Sequence, residues 1–121
     1  MSRVISVHEY VLRDGVTRAQ FERAVREAEE RNLFDLPGLE TYHFVEGIRG
    51  VREGRYAAIW IYESKAAWEA LWGSEGDPID KAAYPERWRV WEDEVLAPLL
   101  VDDPDRIDFT SYEVFATYLE T

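Results

Sequence analysis

The sequence predicts one α+β domain, in which an antiparallel sheet of four strands carries helices on one of its faces. Three observations support this prediction. The chain has 121 residues, which fit a single domain, residues 1–121, and leave no room for a second. Its apolar residues alternate between the period of two that is typical of strands and the period near 3.6 that is typical of helices. Clusters of glycine, proline and aspartate separate these segments at short spacing.

Composition excludes several classes of function. Hydrophobic residues make up 46% of the chain and aromatic residues 14%, which is enough for an ordinary core. The absence of cysteine excludes disulfides and thiolate metal sites. A formal net charge of −11 repels phosphate backbones and anionic membranes, so neither nucleic acid nor membrane is an expected partner. No apolar run is long enough for a membrane span or a signal peptide, and we expect a cytoplasmic protein.

The first two elements are a strand and a helix. Residues 3–13 combine β-branched and aromatic side chains and end at Asp14-Gly15, a pattern that predicts a strand followed by a turn. Thr17 and Gln20 then have the spacing of a capping box. The amphipathic helix predicted over 18–31 has apolar residues at intervals of three and four: Phe21, Ala24, Val25 and Ala28.

The central elements are a hairpin and a second helix. Pro37-Gly38 interrupts the chain before the strand predicted over 39–47. The strand predicted over 55–63 is the most apolar of the chain, and the loop before it contains Gly47, Gly50 and Gly54. Ser64 is the expected N-cap of a helix whose apolar face holds Trp68, Leu71 and Trp72.

The C-terminal elements are a loop, a third helix and a last strand. Residues 73–84 are predicted to form an acidic loop, and Pro85 suits the first turn of a helix. That helix has apolar residues at helical spacing: Trp88, Trp91, Val95 and Leu99. Pro98 is expected to end its regular part near Ala97. A turn with the sequence DDPDR precedes a strand predicted over 107–119.

The order of these elements is β-α-β-β-α-α-β. With right-handed crossovers this order gives the split βαβ, or ferredoxin-like, arrangement with strand order 4-1-3-2. A different α+β meander remains an alternative.

Both faces of the two central strands are mostly apolar. Successive side chains of a strand point to opposite faces. One face of strand 3 has Ala58, Trp60 and Tyr62, and the other has Ala57, Ile59 and Ile61. One face of strand 1 has Ser6, His8, Tyr10 and Leu12, and the other has Ile5, Val7, Glu9 and Val11. Because helices cover one face only, we expect a second copy of the chain to cover the other and form a homodimer. The alternative is a monomer with a partly apolar open face.

The sequence resembles the dimeric α+β barrel superfamily, in which two ferredoxin-like sheets pack face to face. The resemblance covers roughly residues 3–118 and depends on three stretches: VHEYVLRDGVTRAQF, the Tyr62-Glu63-Ser64 junction, and VWEDEVLAPLL. Similar branches are antibiotic-biosynthesis monooxygenases, stress-responsive barrel proteins, plant polyketide cyclases and NIPSNAP-like proteins. These are features of the fold, so the resemblance implies architecture more than chemistry.

The resemblance also allows the catalytic patterns of these branches to be compared with this chain. Haem-binding branches generally place a histidine on or beside the later helices, and no histidine follows His43. The monooxygenase pattern has an asparagine on strand 1, whereas Asn32 is predicted at the end of helix 1. The cyclase pattern pairs a strand-1 histidine, which His8 matches approximately, with a second histidine that residues 73–84 lack.

His8 is the catalytic candidate, because histidine is the natural proton acceptor near neutral pH. The predicted ligand-binding residues are Ser6, Tyr10, Trp60 and Tyr62 on its face, with Trp72 and Trp88 as a roof; Trp68 and Trp91 are further roof candidates. No metal or other cofactor is predicted, since His8 and His43 lie on different strands and Glu9 faces away from His8.

Two hypotheses about function follow. In the first, the chain binds a small aromatic or polyketide-like molecule between sheet and helices and acts on it as a monooxygenase or cyclase without metal or haem. In the second, it is a non-catalytic, stress-related or structural homo-oligomeric module whose core is filled by its own side chains. An open cavity of a few hundred Å³ beside His8 would favour the first. The roles of His43, of Arg49, Arg52 and Arg55, and of residues 73–84 as a lid stay open.

Overall fold

A computed structural model describes residues 2–116 as a four-stranded antiparallel sheet with helices on one face. The strands are β1 (Val4–Tyr10), β2 (Leu39–Glu46), β3 (Tyr56–Tyr62), the two-residue strands β4 (Gly73–Ser74) and β5 (Asp77–Pro78), and β6 (Phe109–Glu113). The main sheet has the order β2-β3-β1-β6, and β4 pairs only with β5. Because β6 is the fourth strand of this sheet along the chain, the order read from the other edge is 4-1-3-2, and the predicted ferredoxin-like order is confirmed.

The first two helices begin at the side-chain caps that the sequence predicts. Helix α1 (Arg18–Glu30) starts after Thr17, whose hydroxyl accepts a hydrogen bond from the Gln20 amide at 3.2 Å. The Gln20 side chain accepts in return from the Thr17 amide at 2.7 Å, which completes the capping box. Helix α2 (Lys65–Trp72) starts after Ser64, whose hydroxyl accepts from the Ala67 amide.

The third helix departs from the prediction of a regular α-helix to residue 97. It is α-helical only in α3 (Glu86–Val90), with Pro85 as N-cap and not in the first turn. The chain then continues as a π-helix over Trp91–Leu96 and a 3₁₀ turn over Ala97–Leu99. Pro98 has no amide hydrogen to extend the α-helical pattern, and the helix ends in this tighter turn.

Two further predictions need correction. Residues 73–84 are not one loop: they contain the β4–β5 ribbon and a 3₁₀ turn at Lys81–Ala83. The ribbon requires Gly73, because its φ is +91° and an added Cβ would lie 2.5 Å from the Asp77 carbonyl oxygen. The last strand is shorter than predicted, with β6 spanning Phe109–Glu113, and the predicted part beyond residue 116 lies outside the described residues.

The strand register separates the sheet into a covered face and an open face. Ser6 pairs with Trp60 and with Ser111, so these three side chains point toward the helices. The open face consists of three rows across the sheet: Thr41, Ile61, Ile5 and Tyr112; then His43, Ile59, Val7 and Thr110; then Val45, Ala57 and Glu9. Leu39 and Thr41 are two residues apart, a spacing that suggests a shared face. An irregularity between them instead pairs Leu39 with Tyr62, on the covered face.

The core lies between the covered face and the helices and is built largely from aromatic rings. Trp60 and Trp91 are fully buried. Phe34 packs between them, with its ring centroid 5.2 Å from that of Trp60 and 4.9 Å from that of Trp91. This packing fills the side of the sheet near β2. The side near β6 is packed less completely, and it contains the cavity described next.

Candidate functional site

A cavity of about 580 Å³ lies between the covered face and the C-terminal half of the chain. Strands β1 and β6 form its floor, and α2, the β4–β5 ribbon and α3 form its walls. Seven tyrosine, tryptophan and phenylalanine residues line it: Tyr62, Trp68, Trp72, Tyr84, Trp88, Phe109 and Tyr112. Cavities of this volume, lined mainly by apolar groups with a few polar ones, are typical binding sites for small molecules.

Three of these rings form a contiguous aromatic wall. The Trp72 ring lies edge-on to Tyr84, with centroids 5.2 Å apart and planes at 90°. It also meets Trp88 at 5.4 Å and 65°. These are the edge-to-face geometries that aromatic pairs prefer, so the wall is held by its own packing.

His8 lies on the cavity floor within a ring of aromatic side chains. Its imidazole centroid is 5.8–5.9 Å from those of Trp60, Trp88 and Phe109. Burial lowers the pKa of His8 from 6.5 to about 4, because the charged imidazolium loses its hydration. Its Nδ1 is buried and, among residues 2–116, has no hydrogen-bond partner. The imidazole is therefore neutral at pH 7, and its Nδ1 is a buried polar atom without a partner in the described chain.

Two pairs of neutral polar groups lie at or beside the floor. The hydroxyls of Ser6 and Ser111 are hydrogen-bonded across β1 and β6 at 2.7 Å. The Trp72 indole N–H donates to the Tyr62 hydroxyl at 3.2 Å. Burial raises the pKa of Tyr62 well above its usual value, so this phenol stays neutral. The floor thus offers neutral hydrogen-bonding groups at fixed positions.

The structure brings together five of the seven predicted site residues at the cavity: Ser6, His8, Tyr62, Trp72 and Trp88. Tyr10 and Trp60 lie on the predicted face but do not line the cavity. Tyr10 is 2% exposed and packs edge-on against Phe21 of α1, and Trp60 is closed off by Phe34 and Trp88. Of the further roof candidates, Trp68 lines the cavity and Trp91 belongs to the core.

Glu92 is the most buried ionisable side chain among the lining residues that the sequence analysis missed, which also include Lys65, Lys81, Tyr84 and Phe109. It lies in the π-helical segment, lines the cavity, and is only 6% exposed. Burial raises the pKa of Glu92 from 4.5 to about 7, and the positive charge of Lys81 offsets part of this rise. Its position was the available signal, since Glu92 follows Trp88 by four residues on the apolar side of the helix.

The two lysines of the chain, Lys65 and Lys81, both line the cavity near its mouth. The Lys65 ammonium lies 3.2 Å from the Glu75 carboxylate in the ribbon turn and 3.9 Å from Glu113 of β6. The Lys81 ammonium lies 2.8 Å from Asp93 and 2.9 Å from Asp105. The Lys65–Glu75 pair and the two pairs of Lys81 connect residues 73–84, the outer wall of the cavity, to the rest of the domain.

The remaining sequence candidates lie away from the cavity. His43 is exposed on the open face, opposite to the face of His8. Arg52 forms an ion pair with Glu9 of the open face, which is 43 residues away in the sequence. Within residues 2–116, no group of three or more histidine and carboxylate side chains is arranged to hold a metal ion.

The fold and the cavity together define a class: a ferredoxin-like α+β protein with an aromatic pocket between sheet and helices. Solved structures that are similar to this chain have the same fold. One is a dimeric ferredoxin-like protein of unknown function from Thermobifida fusca YX, with 14% identity, coverage of 93% of this chain and 92% of that chain, and a TM-score of 0.55.

Two enzymes are also among these structures. SnoaB, a cofactor-independent oxygenase from Streptomyces nogalater, has 12% identity, coverage of 99% of this chain and 100% of that chain, and a TM-score of 0.62. A hydroxynitrile lyase from Passiflora edulis has 12% identity, coverage of 96% of each chain, and a TM-score of 0.60. The TM-scores show that these proteins share the fold of this chain, which confirms the predicted ferredoxin-like architecture. At identities this low the shared fold does not define the reaction, which must be argued from the site.

No protein-family model matches the chain, and no curated protein matches its sequence. In the part of the chain that the structure describes, no helix has the length and apolar character needed to cross a membrane.

Proposed function

We propose that this protein binds a small, flat aromatic or polyketide-like molecule in the cavity and acts on it as a monooxygenase or cyclase that needs neither metal nor haem. The observation that carries the proposal is the cavity of about 580 Å³, walled by aromatic rings and floored by His8, whose buried Nδ1 has no hydrogen-bond partner among residues 2–116. The fold of a cofactor-independent oxygenase supports the reaction class.

His8 is the proposed proton acceptor. Its neutral imidazole is available at pH 7, but a pKa of about 4 makes it a weak base in the empty cavity. A substrate anion beside the ring favours the imidazolium and raises this pKa again. Such an anion forms when His8 removes a proton from a phenol or from a carbon between two carbonyls. In a cyclase the anion attacks a carbonyl of the same molecule to form a C–C bond, and the resulting alkoxide takes the proton back from His8. In a monooxygenase the carbanion adds dioxygen to give a hydroperoxide that takes this proton, and loss of water then leaves a carbonyl at that carbon.

The cavity also weighs against the alternative of a non-catalytic module with a filled core. Interiors are normally packed as densely as organic crystals, and voids larger than a water molecule are few. A space of several hundred Å³ beside His8 is therefore a feature to be explained. A ligand explains both its volume and its aromatic walls.

A second copy of the chain is the proposed cover of the open face. Ile59 and Val7 are direct neighbours at its centre, and Ile5 and Ile61 form the next pair. The Arg52 guanidinium neutralises Glu9 at its edge, so the face contains little unpaired charge. Similar solved structures include a dimeric ferredoxin-like protein, which supports the same pairing here.

The test of the ligand site is a titration of tryptophan fluorescence with flat phenols such as 1,8-dihydroxyanthraquinone. Ser111→Phe places a ring in the cavity from its floor and should weaken binding at least tenfold. Ala66→Phe adds the same ring on the exposed side of α2 and should leave binding unchanged. Binding that is equal in both variants, or no binding of any phenol by the wild type, would contradict the ligand site.

Turnover is tested separately, with the purified protein in the presence of a metal chelator. The proposal expects oxygenated or cyclised products from phenolic polyketides that enter uncharged or with a cationic amine, and it expects His8→Phe to lose this activity while retaining the fold. Products that form only after metal or haem is added would contradict the reaction class.

A further inference from the structure

The ionisable groups that line the cavity are unequal in number and in pairing. Four carboxylates line it, those of Glu75, Glu92, Asp105 and Glu113, against the two ammonium groups of Lys65 and Lys81. Lys65 pairs with Glu75 and Glu113, and Lys81 pairs with Asp105. Within residues 2–116, no lysine, arginine or histidine nitrogen lies within 4 Å of the Glu92 carboxylate. Glu92 is thus the one lining carboxylate without a salt bridge in the described chain.

Glu92 is also the most enclosed of the four carboxylates, since only 6% of its surface is exposed. The π-helical turn that contains it is a rare geometry that occurs frequently at functional sites. The ionisable groups that act on it from the surrounding elements are Tyr10, Lys81, Tyr84, Asp93 and Asp105. Lys81 is the only cation among them, and it is already shared by Asp93 and Asp105.

We propose that the molecule bound in this cavity carries a positive charge, as an aromatic amine or quaternary ammonium, and that this charge lies against Glu92. The inference rests on the proposed function, because it names the chemical class of the ligand for the same cavity. The aromatic body of the ligand then lies over the floor at His8, and its cationic group lies between Glu92 and the aromatic wall.

The chemistry of the wall matches such a ligand. A cation is attracted to the faces of aromatic rings, most strongly to tryptophan, and the attraction is greatest where water is excluded. Trp88 precedes Glu92 by four residues in the same continuous helical segment, and Trp72 packs against Trp88 and Tyr84. A ligand that enters with a net negative charge is disfavoured, because both lysines are already paired and the unpaired charge is negative. A phenol that enters neutral and loses its proton to His8 is compatible with a cationic group at Glu92. A buried carboxylate without a counter-ion is costly, and a bound cation relieves that cost.

The test compares three molecules with the same ring system by isothermal titration calorimetry at pH 8. They are naphthalen-2-ylmethylammonium, naphthalen-2-ylmethanol and 2-naphthoate, which are cationic, neutral and anionic. We expect the ammonium to bind at least tenfold more tightly than the alcohol, and the carboxylate to bind most weakly. A wild type that binds the alcohol as tightly as the ammonium overturns the inference, and this result leaves the ligand site itself intact. No binding of any of the three overturns the ligand site instead.

Two variants identify the counter-ion. Glu92→Gln keeps the shape of the side chain and should abolish the preference for the ammonium, while binding of the alcohol changes little. Glu94→Gln removes the same charge from the same helical segment at an exposed position and should retain the preference. Equal loss in both variants, or retention in Glu92→Gln, overturns the assignment.

A measurement on the wild type keeps the inference testable if Glu92→Gln does not fold. Burial raises the pKa of Glu92 to about 7, so ionisation of Glu92 between pH 6 and pH 8 should strengthen ammonium binding by about tenfold. Binding of the alcohol should not follow this titration. Ammonium binding that is independent of pH over this range overturns the assignment to Glu92.

Discussion

The stability of the protein at different pH values tests the two buried titratable groups of the cavity directly. Acidification from pH 7 to pH 5 affects His8 and Glu92 in opposite directions. The folded-state pKa of His8 is depressed from 6.5 to about 4, so its contribution to stability is present above pH 6.5 and is lost as the pH falls toward 4. The folded-state pKa of Glu92 is raised from 4.5 to about 7, so its contribution is present below pH 4.5 and is lost as the pH rises through 7.

The two effects are similar in size. Between pH 7 and pH 5, protonation of the unfolded chain at His8 lowers the free energy of unfolding by about 2 kcal/mol. Over the same interval the folded state takes up a proton at Glu92, which raises the free energy of unfolding by about 2 kcal/mol. The contributions of the two groups therefore nearly cancel in the wild type, and each becomes visible only when the other is removed.

Urea denaturation of four proteins at pH 7 and pH 5 measures both contributions. On acidification His8→Phe should gain about 2 kcal/mol relative to the wild type, and Glu92→Gln should lose about 2 kcal/mol relative to it. The double variant should change with pH as the wild type does. Single variants whose free energies of unfolding follow the wild type at both pH values would refute the burial argument for these groups.

Three further predictions concern the open face, His8 and the sheet–helix junction. Ile59→Asp places a charge at the centre of the open face and should give monomers or insoluble protein, whereas a wild type that sediments as a stable monomer at micromolar concentration would contradict the homodimer. His8→Ala should lower the free energy of unfolding by only about 1 kcal/mol, because the ring borders open space and Nδ1 has no partner in residues 2–116; a loss of 3 kcal/mol or more in urea denaturation would show a packed core residue. Gly38→Ala should destabilise the protein by roughly 2–4 kcal/mol in the same assay, since φ is +83° and the new Cβ would lie 2.5 Å from the Ala67 Cβ; unchanged stability would contradict this close approach.

The sequence predicts best those features that depend on neighbouring residues. The capping box of Thr17 and Gln20 is complete within four residues, and α1 begins where it indicates. The strand order follows from the sequence of elements and the handedness of crossovers. The face on which each side chain of β1 and β3 lies follows from alternation alone, and His8 accordingly lies under the helices.

Features that depend on packing between distant segments were not predictable in the same way. Tyr10 and Trp60 share the face of His8, but α1 and Phe34 close the sheet over them while the side near β6 stays open. Glu92 is recognisable as buried only once the helix is packed on the sheet. The β4–β5 ribbon depends on the backbone conformation of Gly73, which an acidic segment does not reveal.

The ion pairs of Lys65 and Lys81 make the exchange of a ligand sensitive to ionic strength. Glu75 and Asp105 are more than half exposed, and such pairs each contribute about 0–1 kcal/mol and are screened by salt. The core, in contrast, is held by burial of apolar rings, which salt screening leaves in place. Moderate salt should therefore speed the opening of the outer wall, and with it both entry and release of a ligand, while the melting temperature stays nearly constant. The outer wall and the core would then behave as two units of different stability, of which only the outer wall opens more readily when salt is added.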